Sequence, residues 1–204
     1  MKTQSIRYSA LALVLTLGIS ADAYASFSGD YAVSNWTITD NAGGSVDTSG
    51  APDSLTLTSG NGGDPLADPP VSGDTSFTIT AQTQSLVSFN WSYHTNDIYG
   101  FAAFDPFGYV VNGEVTVLPD QNLAPATPTV SDPTGTLQSG SATFYVNAGD
   151  VFGFDAQTYD GLNGAAVGSV TNFTVTAVPL PAAFWLFSSA LVGVVSIARR
   201  RKSA

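Results

Sequence analysis

Cysteine is absent from this 204-residue chain, and between Arg7 and Arg199 there is no lysine or arginine. Without cysteine there is no disulfide framework and no thiolate metal site. A body without fixed cations cannot neutralise phosphates, which excludes nucleic-acid binding. It also lacks the lysine or arginine that phosphoryl transfer uses to hold a nucleotide. No Lys/Arg salt bridge can form there, so the fold must rest on apolar burial and backbone hydrogen bonds. Methionine occurs only at position 1, histidine only at His94 and glutamate only at Glu114. A body poor in oxidisable and amine-reactive side chains suits life outside the cell.

What is present is turn-forming and acidic. Twenty Gly and eleven Pro accompany a formal net charge of −10, while charged residues make up only 11%. Solubility then comes from uncharged Ser, Thr, Asn and Gly plus net negative charge. All six basic residues lie at the ends: Lys2 and Arg7 at the start, Arg199, Arg200, Arg201 and Lys202 at the finish.

The two ends read as addresses. In residues 1–25, Lys2 and Arg7 form a positive n-region and Ala10–Ile19 an apolar h-region too short to span a bilayer. Ala23-Tyr24-Ala25 supplies the small-x-small pattern that signal peptidase needs, with Ser26 as the expected new N-terminus. At the other end, Ala182–Ala198 is an uncharged apolar run at the lower length limit for a transmembrane helix, followed at once by Arg199–Lys202. The positive-inside rule keeps that cluster cytoplasmic and the body outside. Pro179 and Pro181 keep the preceding Val178-Pro179-Leu180-Pro181 extended and short of backbone donors, a segment that a processing enzyme can grip.

This order over residues 178–204, Pro-x-Pro, a short apolar helix and an Arg-rich end, resembles the PEP-CTERM sorting signal of Gram-negative bacteria. Leu180 stands where the best-known tripeptide has Glu, which matches the Val-Pro-Leu-Pro-Ala-Ala variety. The resemblance implies recognition by an exosortase, a membrane-embedded cysteine protease or transpeptidase. It implies loss of the tail near Pro179–Pro181 and delivery of the body to the cell surface or extracellular matrix, in association with exopolysaccharide and biofilm.

Residues 26–177 read as one all-β domain. In Ser85–His94, Val87, Phe89, Trp91 and Tyr93 share one face and Ser88, Asn90, Ser92 and His94 the other. Ala142, Phe144 and Val146 alternate in the same way, as do Thr171, Phe173, Val175 and Ala177. Shorter alternations occur at 31–39, 54–58, 76–81 and 151–154, and Asn112-Gly113 between apolar pairs signals a hairpin. Polar and apolar faces on each strand imply two sheets around a shared core, a jelly-roll-like β-sandwich. The expected core is Trp36, Leu55, Leu57, Phe77, Ile79, Val87, Phe89, Trp91, Phe144, Val146, Phe152, Phe154, Phe173 and Val175. Asp40–Pro52, Ser59–Gly73 and Pro119–Gly140 read as loops. The stretch Trp91–Gly113 resembles a recurrent module of secreted bacterial surface proteins.

Catalytic signatures are lacking. His94 has Asp97 nearby but no nucleophile-elbow motif, and Glu114 has no distinct carboxylate partner among fifteen Asp. Calcium is the better-matched chemistry, because hard cations take Asp, Asn and carbonyl oxygens on turns. Asp150, Asp155, Asp160 and Asn163 are the candidate ligands, with Asn61–Asp64 and Asp68 also rich in such groups, and no EF-hand loop is present. The sequence therefore reads as a non-enzymatic surface or matrix protein, without a required cofactor. Its expected partners are signal peptidase, exosortase, the membrane through residues 182–198 before processing, and extracellular polysaccharide. The alternative is a calcium-dependent carbohydrate-binding module.

Overall fold

The alternation in the sequence becomes two antiparallel sheets in the structure, a computed structural model that describes residues 23–63, 72–97, 101–121 and 137–178, and residues 187 and 190. The first sheet has the order β3 (Ser45–Asp47), β4 (Ser54–Thr58), β11 (Ala166–Ala177), β6 (Ser85–Thr95), β9 (Gln138–Val146). A short β1 (Ala23–Ala25) pairs with the C-terminal half of β11. The second sheet has the order β2 (Thr37–Asp40), β5 (Gly73–Thr80), β10 (Val151–Thr158), β7 (Phe107–Val111), β8 (Glu114–Val117). Every pairing among the described residues is antiparallel. The sheets face each other and form a sandwich.

The inward-facing side chains form one aromatic-rich core. Leu55 and Leu57 from β4, Phe77 from β5, Val87 and Phe89 from β6, Phe152 and Phe154 from β10, and Phe173 and Val175 from β11 are all buried. Trp36 lies among them, stacked on Phe77 at 4.7 Å between ring centroids and hydrogen-bonded through Nε1 to the Tyr31 carbonyl at 2.9 Å. Each such side chain contributes roughly 1.5–3 kcal/mol when fully buried. That supply replaces the ion pairs that the body cannot make.

Four expectations need correction. The segment Asp40–Pro52 is not all loop, because Ser45–Asp47 pairs with β4 as β3. Residues 31–39 do not form one strand. Two 3-10 turns, Gly29–Tyr31 and Val33–Asn35, come first, and only Thr37–Asp40 is paired. Trp91 is half-buried rather than fully in the core, because it lies towards the β9 edge, where Gly140 covers its indole only with backbone. Thr171 does not share a face with Phe173. The ladder of β11 shifts register between Thr171 and Thr174, and Asn172 takes a left-handed φ of 51°. That bulge absorbs one residue, so Val170 and Phe173 both point inward. The hairpin signal holds: Asn112 and Gly113, with φ of 51° and 86°, join β7 to β8.

Among the described residues no helix is long and apolar enough to cross a membrane. The expected transmembrane run 182–198 lies outside the described residues except for positions 187 and 190, as do Pro179, Leu180, Pro181 and Arg199–Lys202.

Candidate functional site

The outer face of the second sheet carries a groove of about 280 Å³. It exists because β5 and β10 alternate in step. Phe77 and Ile79 on β5 and Phe152, Phe154 and Ala156 on β10 are in the core, so Asp74, Ser76, Thr78, Asp155 and Gln157 face the other way. Asp74 lies opposite Gln157, and Ser76 opposite Asp155. On its other flank Asp155 faces Gly108 of β7, where a side chain would collide with the Thr116 carbonyl of β8. The far wall is apolar, made by Val110, Val115 and Val151 beside the Gly113 turn.

Asp155 is the distinctive group. It is only 3% exposed, and its Oδ1 atom is buried with no hydrogen-bond partner. Burial raises its carboxyl to about 7, and the negative charge of Asp74 adds to the rise. Asp74 itself is held in place: Asn41 donates from Nδ2 to its Oδ1 at 3.1 Å and accepts its backbone N–H at 2.7 Å. One end of the groove thus offers two carboxyls and an amide, and the other end a patch of branched methyls.

The four expected calcium ligands do not converge. Asp150 precedes β10 and Asp160 follows it, which places eight residues of strand, about 26 Å, between them. Asp150 is committed to turns: it accepts from the Asn112 amide at 2.9 Å and the Asn147 backbone N–H at 2.7 Å, and both contacts lower its pKa. Asp155 faces the groove. Asp160 accepts the Leu162 N–H at 3.0 Å, and Asn163 sits in a left-handed turn with φ of 66°. Among the described residues no three His, Cys, Asp or Glu side chains group closely enough to form a ready metal shell. Asp64 and Asp68 lie outside the described residues.

His94 and Glu114 do not meet either. His94 lies opposite Val167 on the outer face of the first sheet, and Glu114 is exposed at the hairpin of the second. Asp97 is buried beyond the end of β6. Ala23, Tyr24 and Ala25 are paired as β1, and Ser26 donates its backbone N–H to the Phe173 carbonyl at 2.6 Å. Phe27 is buried and stacks on Phe173 at 4.6 Å. The core therefore begins just after the expected signal-peptidase site.

Asp74 and Gln157 escaped sequence reasoning. Alternation assigns each to a polar face, but only the β5–β10 register makes them neighbours.

No family model and no curated protein matches the chain. Among solved structures it is similar to an arabinose-bound GH51 α-L-arabinofuranosidase, with a TM-score of 0.36 and 14% identity over 75% of this chain and 24% of that one. It is similar to a β-glucosidase from Kluyveromyces marxianus, with a TM-score of 0.27 and 13% identity over 58% of this chain and 11% of that one. A family 35 carbohydrate binding module from Clostridium thermocellum gives a TM-score of 0.31 and 14% identity over 74% of this chain and 98% of that one. None of the three shows a family for this chain.

Proposed function

We propose that this protein is an exported, non-enzymatic surface or matrix module that binds a hydroxyl-rich polysaccharide in the groove of its second sheet. The carrying observation is the buried Asp155 oxygen without a partner, set beside Asp74 and Gln157 and across from a valine wall. A sugar presents both chemistries at once: hydroxyls for fixed carboxyl and amide groups, and a C–H face for branched methyls. Consecutive strands from β4 to β7, and again from β9 to β11, alternate between the sheets, which we read as a jelly-roll-like winding.

Calorimetric titration with a panel of neutral and acidic polysaccharides tests the reading. Asp155→Asn and Gln157→Ala should each weaken binding roughly 10–100-fold, the worth of one or two hydrogen bonds to a charged or amide group. Failure of the unaltered protein to bind any polymer, or unchanged binding by both variants, would overturn it. A hydrolase is the second reading, because a carboxyl held near 7 beside another carboxyl is the pairing that glycosidases use. Release of reducing ends in the same samples would favour it over simple binding.

For the route, the reading rests on residues 1–25 and 178–204. Signal peptidase would act after Ala25 (the alternative is Ala23) and remove β1 while leaving Phe27 in the core. An exosortase would act at Val178–Pro181. Intact-mass analysis of the protein recovered from its host should then show neither residues 1–25 nor 182–204. Recovery of the body with its tail still attached would sink the sorting signal.

A further inference from the structure

The groove of the second sheet carries a charge imbalance that narrows its ligand. In the β5–β10 register Asp74 lies opposite Gln157 and Ser76 opposite Asp155. Asp74 and Asp155 are therefore diagonal neighbours on one face, about 7–8 Å apart between Cα atoms, and both line the groove. Asp155 is almost wholly buried, yet its Oδ1 atom has no hydrogen-bond partner. The Asp74 carboxylate is kept in position by Asn41, which donates to its Oδ1 at 3.1 Å. All sixteen acidic residues lie between Arg7 and Arg199, a stretch with no lysine or arginine to set against this pair. The single imidazole, His94, is on the outer face of the first sheet. Two carboxylates in a partly dehydrated groove repel each other, so they favour a ligand that brings positive charge. The Asp155 carboxyl, raised to about 7 by burial and by the Asp74 charge, is consistent with a site that lacks one.

The rest of the groove indicates what kind of cation fits. Among the described residues no three His, Cys, Asp or Glu side chains group as a metal shell. A bare ion would also leave the opposite wall, built by Val110, Val115 and Val151, without a role. An ammonium on a carbon skeleton fits both halves. It needs only hydrogen-bond acceptors, and it has three N–H donors. The carboxyls of Asp155 and Asp74 and the Gln157 amide oxygen supply three acceptors on one face. The C–H face of a sugar ring can then lie against the valine methyls. We propose that the groove is specific for a polysaccharide of amino sugars with free amines, whose ammonium is seated between Asp155, Asp74 and Gln157. The proposal rests on the reading of the groove as a polysaccharide site and adds its charge class. Uronic, sulfated or phosphorylated polymers are rejected by the same residues, because they bring like charge to two carboxylates with no cation nearby. An N-acetylated polymer keeps its hydroxyls but has a neutral amide where the ammonium would stand, so the carboxylates stay uncompensated.

The test titrates the full chain at neutral pH with three defined hexamers: glucosamine, N-acetylglucosamine and galacturonic acid. Calorimetry should show the glucosamine hexamer binding at least roughly tenfold more tightly than the N-acetylated one, the worth of a hydrogen bond to a charged group. The galacturonic acid hexamer should not bind. Added salt should narrow the preference for the amine. Asp155→Asn and Asp74→Asn should each abolish that preference. Asp53→Asn, the same charge change at an exposed turn before β4, should keep it. Equal affinity of the unaltered chain for the glucosamine and N-acetylglucosamine hexamers would overturn the proposal while leaving the polysaccharide reading in place. Tighter binding of the acidic hexamer would do the same. Equal losses in Asp155→Asn and Asp53→Asn would overturn it too, since they would reveal a general attraction of a polycation to an acidic body. Hexalysine bound as tightly as the glucosamine hexamer would assign the groove to a basic peptide instead. Failure to bind any polymer would overturn both this proposal and the reading beneath it.

Discussion

Trp36→Ala is expected to cost about 3–5 kcal/mol of folding stability and to lower the melting temperature by roughly 6–20 °C. Trp36 is the hub of the core. It stacks on Phe77 and Phe154 and meets the edges or faces of Phe27, Phe152 and Phe173 at centroid distances of 5.6–5.9 Å. Its removal opens a cavity bordered by aromatic rings from both sheets, and those rings cannot all move inward to fill it. It also removes the hydrogen bond that the indole donates to the Tyr31 carbonyl. Domains of this size are stable by only about 5–15 kcal/mol, so the variant should be close to unfolding at 37 °C. Trp91→Ala is the control. Trp91 is half-buried near the β9 edge, and its loss should cost clearly less. Urea unfolding followed by far-ultraviolet circular dichroism measures both. Equal losses would show that Trp36 is not the hub that the ring geometry indicates.

In calcium-free buffer, stability is expected to fall as pH rises from about 5 to 8, the reverse of a protein held by ionised salt bridges. Asp105 and Asp155 both have carboxyls raised to about 7 in the folded chain, chiefly by burial, against an ordinary 3.8. Between those values the folded chain binds protons that the unfolded chain has released. Their stabilising contribution is therefore complete below about 4 and is lost as pH climbs through 7. The exposed acids run the other way. Asp47 and Asp150 are lowered by hydrogen bonds from Ser49, and from Asn112 and Asn147. Asp40 is also lowered: slight desolvation opposes the shift, but contacts from Gly44, Ala42 and Thr75 outweigh it. Their contributions are present above 3.8 and vanish as pH falls through their folded values. The melting temperature should therefore peak at about pH 4–5. Asp155→Asn should be more stable than the unaltered protein at pH 8 and show a shallower pH slope. A melting temperature that climbs between pH 5 and 8 would contradict the burial of these carboxyls.

Most of the strands were legible because each alternates over five or more residues, and periodicity of two is a local property. Phe89, Phe144 and Phe154 could be assigned to the core in this way before any partner strand was known. Tyr93 was placed on the apolar face by the same rule, and burial of its ring confirms it. Asn172 shows where local reading ends. A residue that accepts left-handed φ leaves little trace in a pattern of Thr, Asn and Phe, yet it turned Thr171 outward. The segment 31–36 fails for a related reason: Tyr31 is buried from a 3-10 turn and Trp36 from the residue that follows the second turn, and a backbone of that shape does not alternate. Asp155 was singled out in the sequence as a cation ligand among turns, whereas its strand directs it into the groove.

By itself, the sequence determined that this body would be all-β, would lack internal cationic partners and would have to hold itself together with aromatic and aliphatic burial. Those conclusions need only composition and short-range periodicity. The tertiary structure alone decided which acids are solvated and which are buried. Asp74 and Asp155 are 81 positions apart and become neighbours only through the β5–β10 register. Asp97 and Asp105 are close in sequence and both buried, but Asp105 meets Ser59 and Thr158, which come from far along the chain. Desolvation is a property of everything packed around a group, so no run of adjacent residues could reveal it. The absence of cations with which the sequence began gains its meaning there. In a chain with no lysine or arginine in its body, a carboxylate that the fold buries must hold a proton or take its counter-charge from solution.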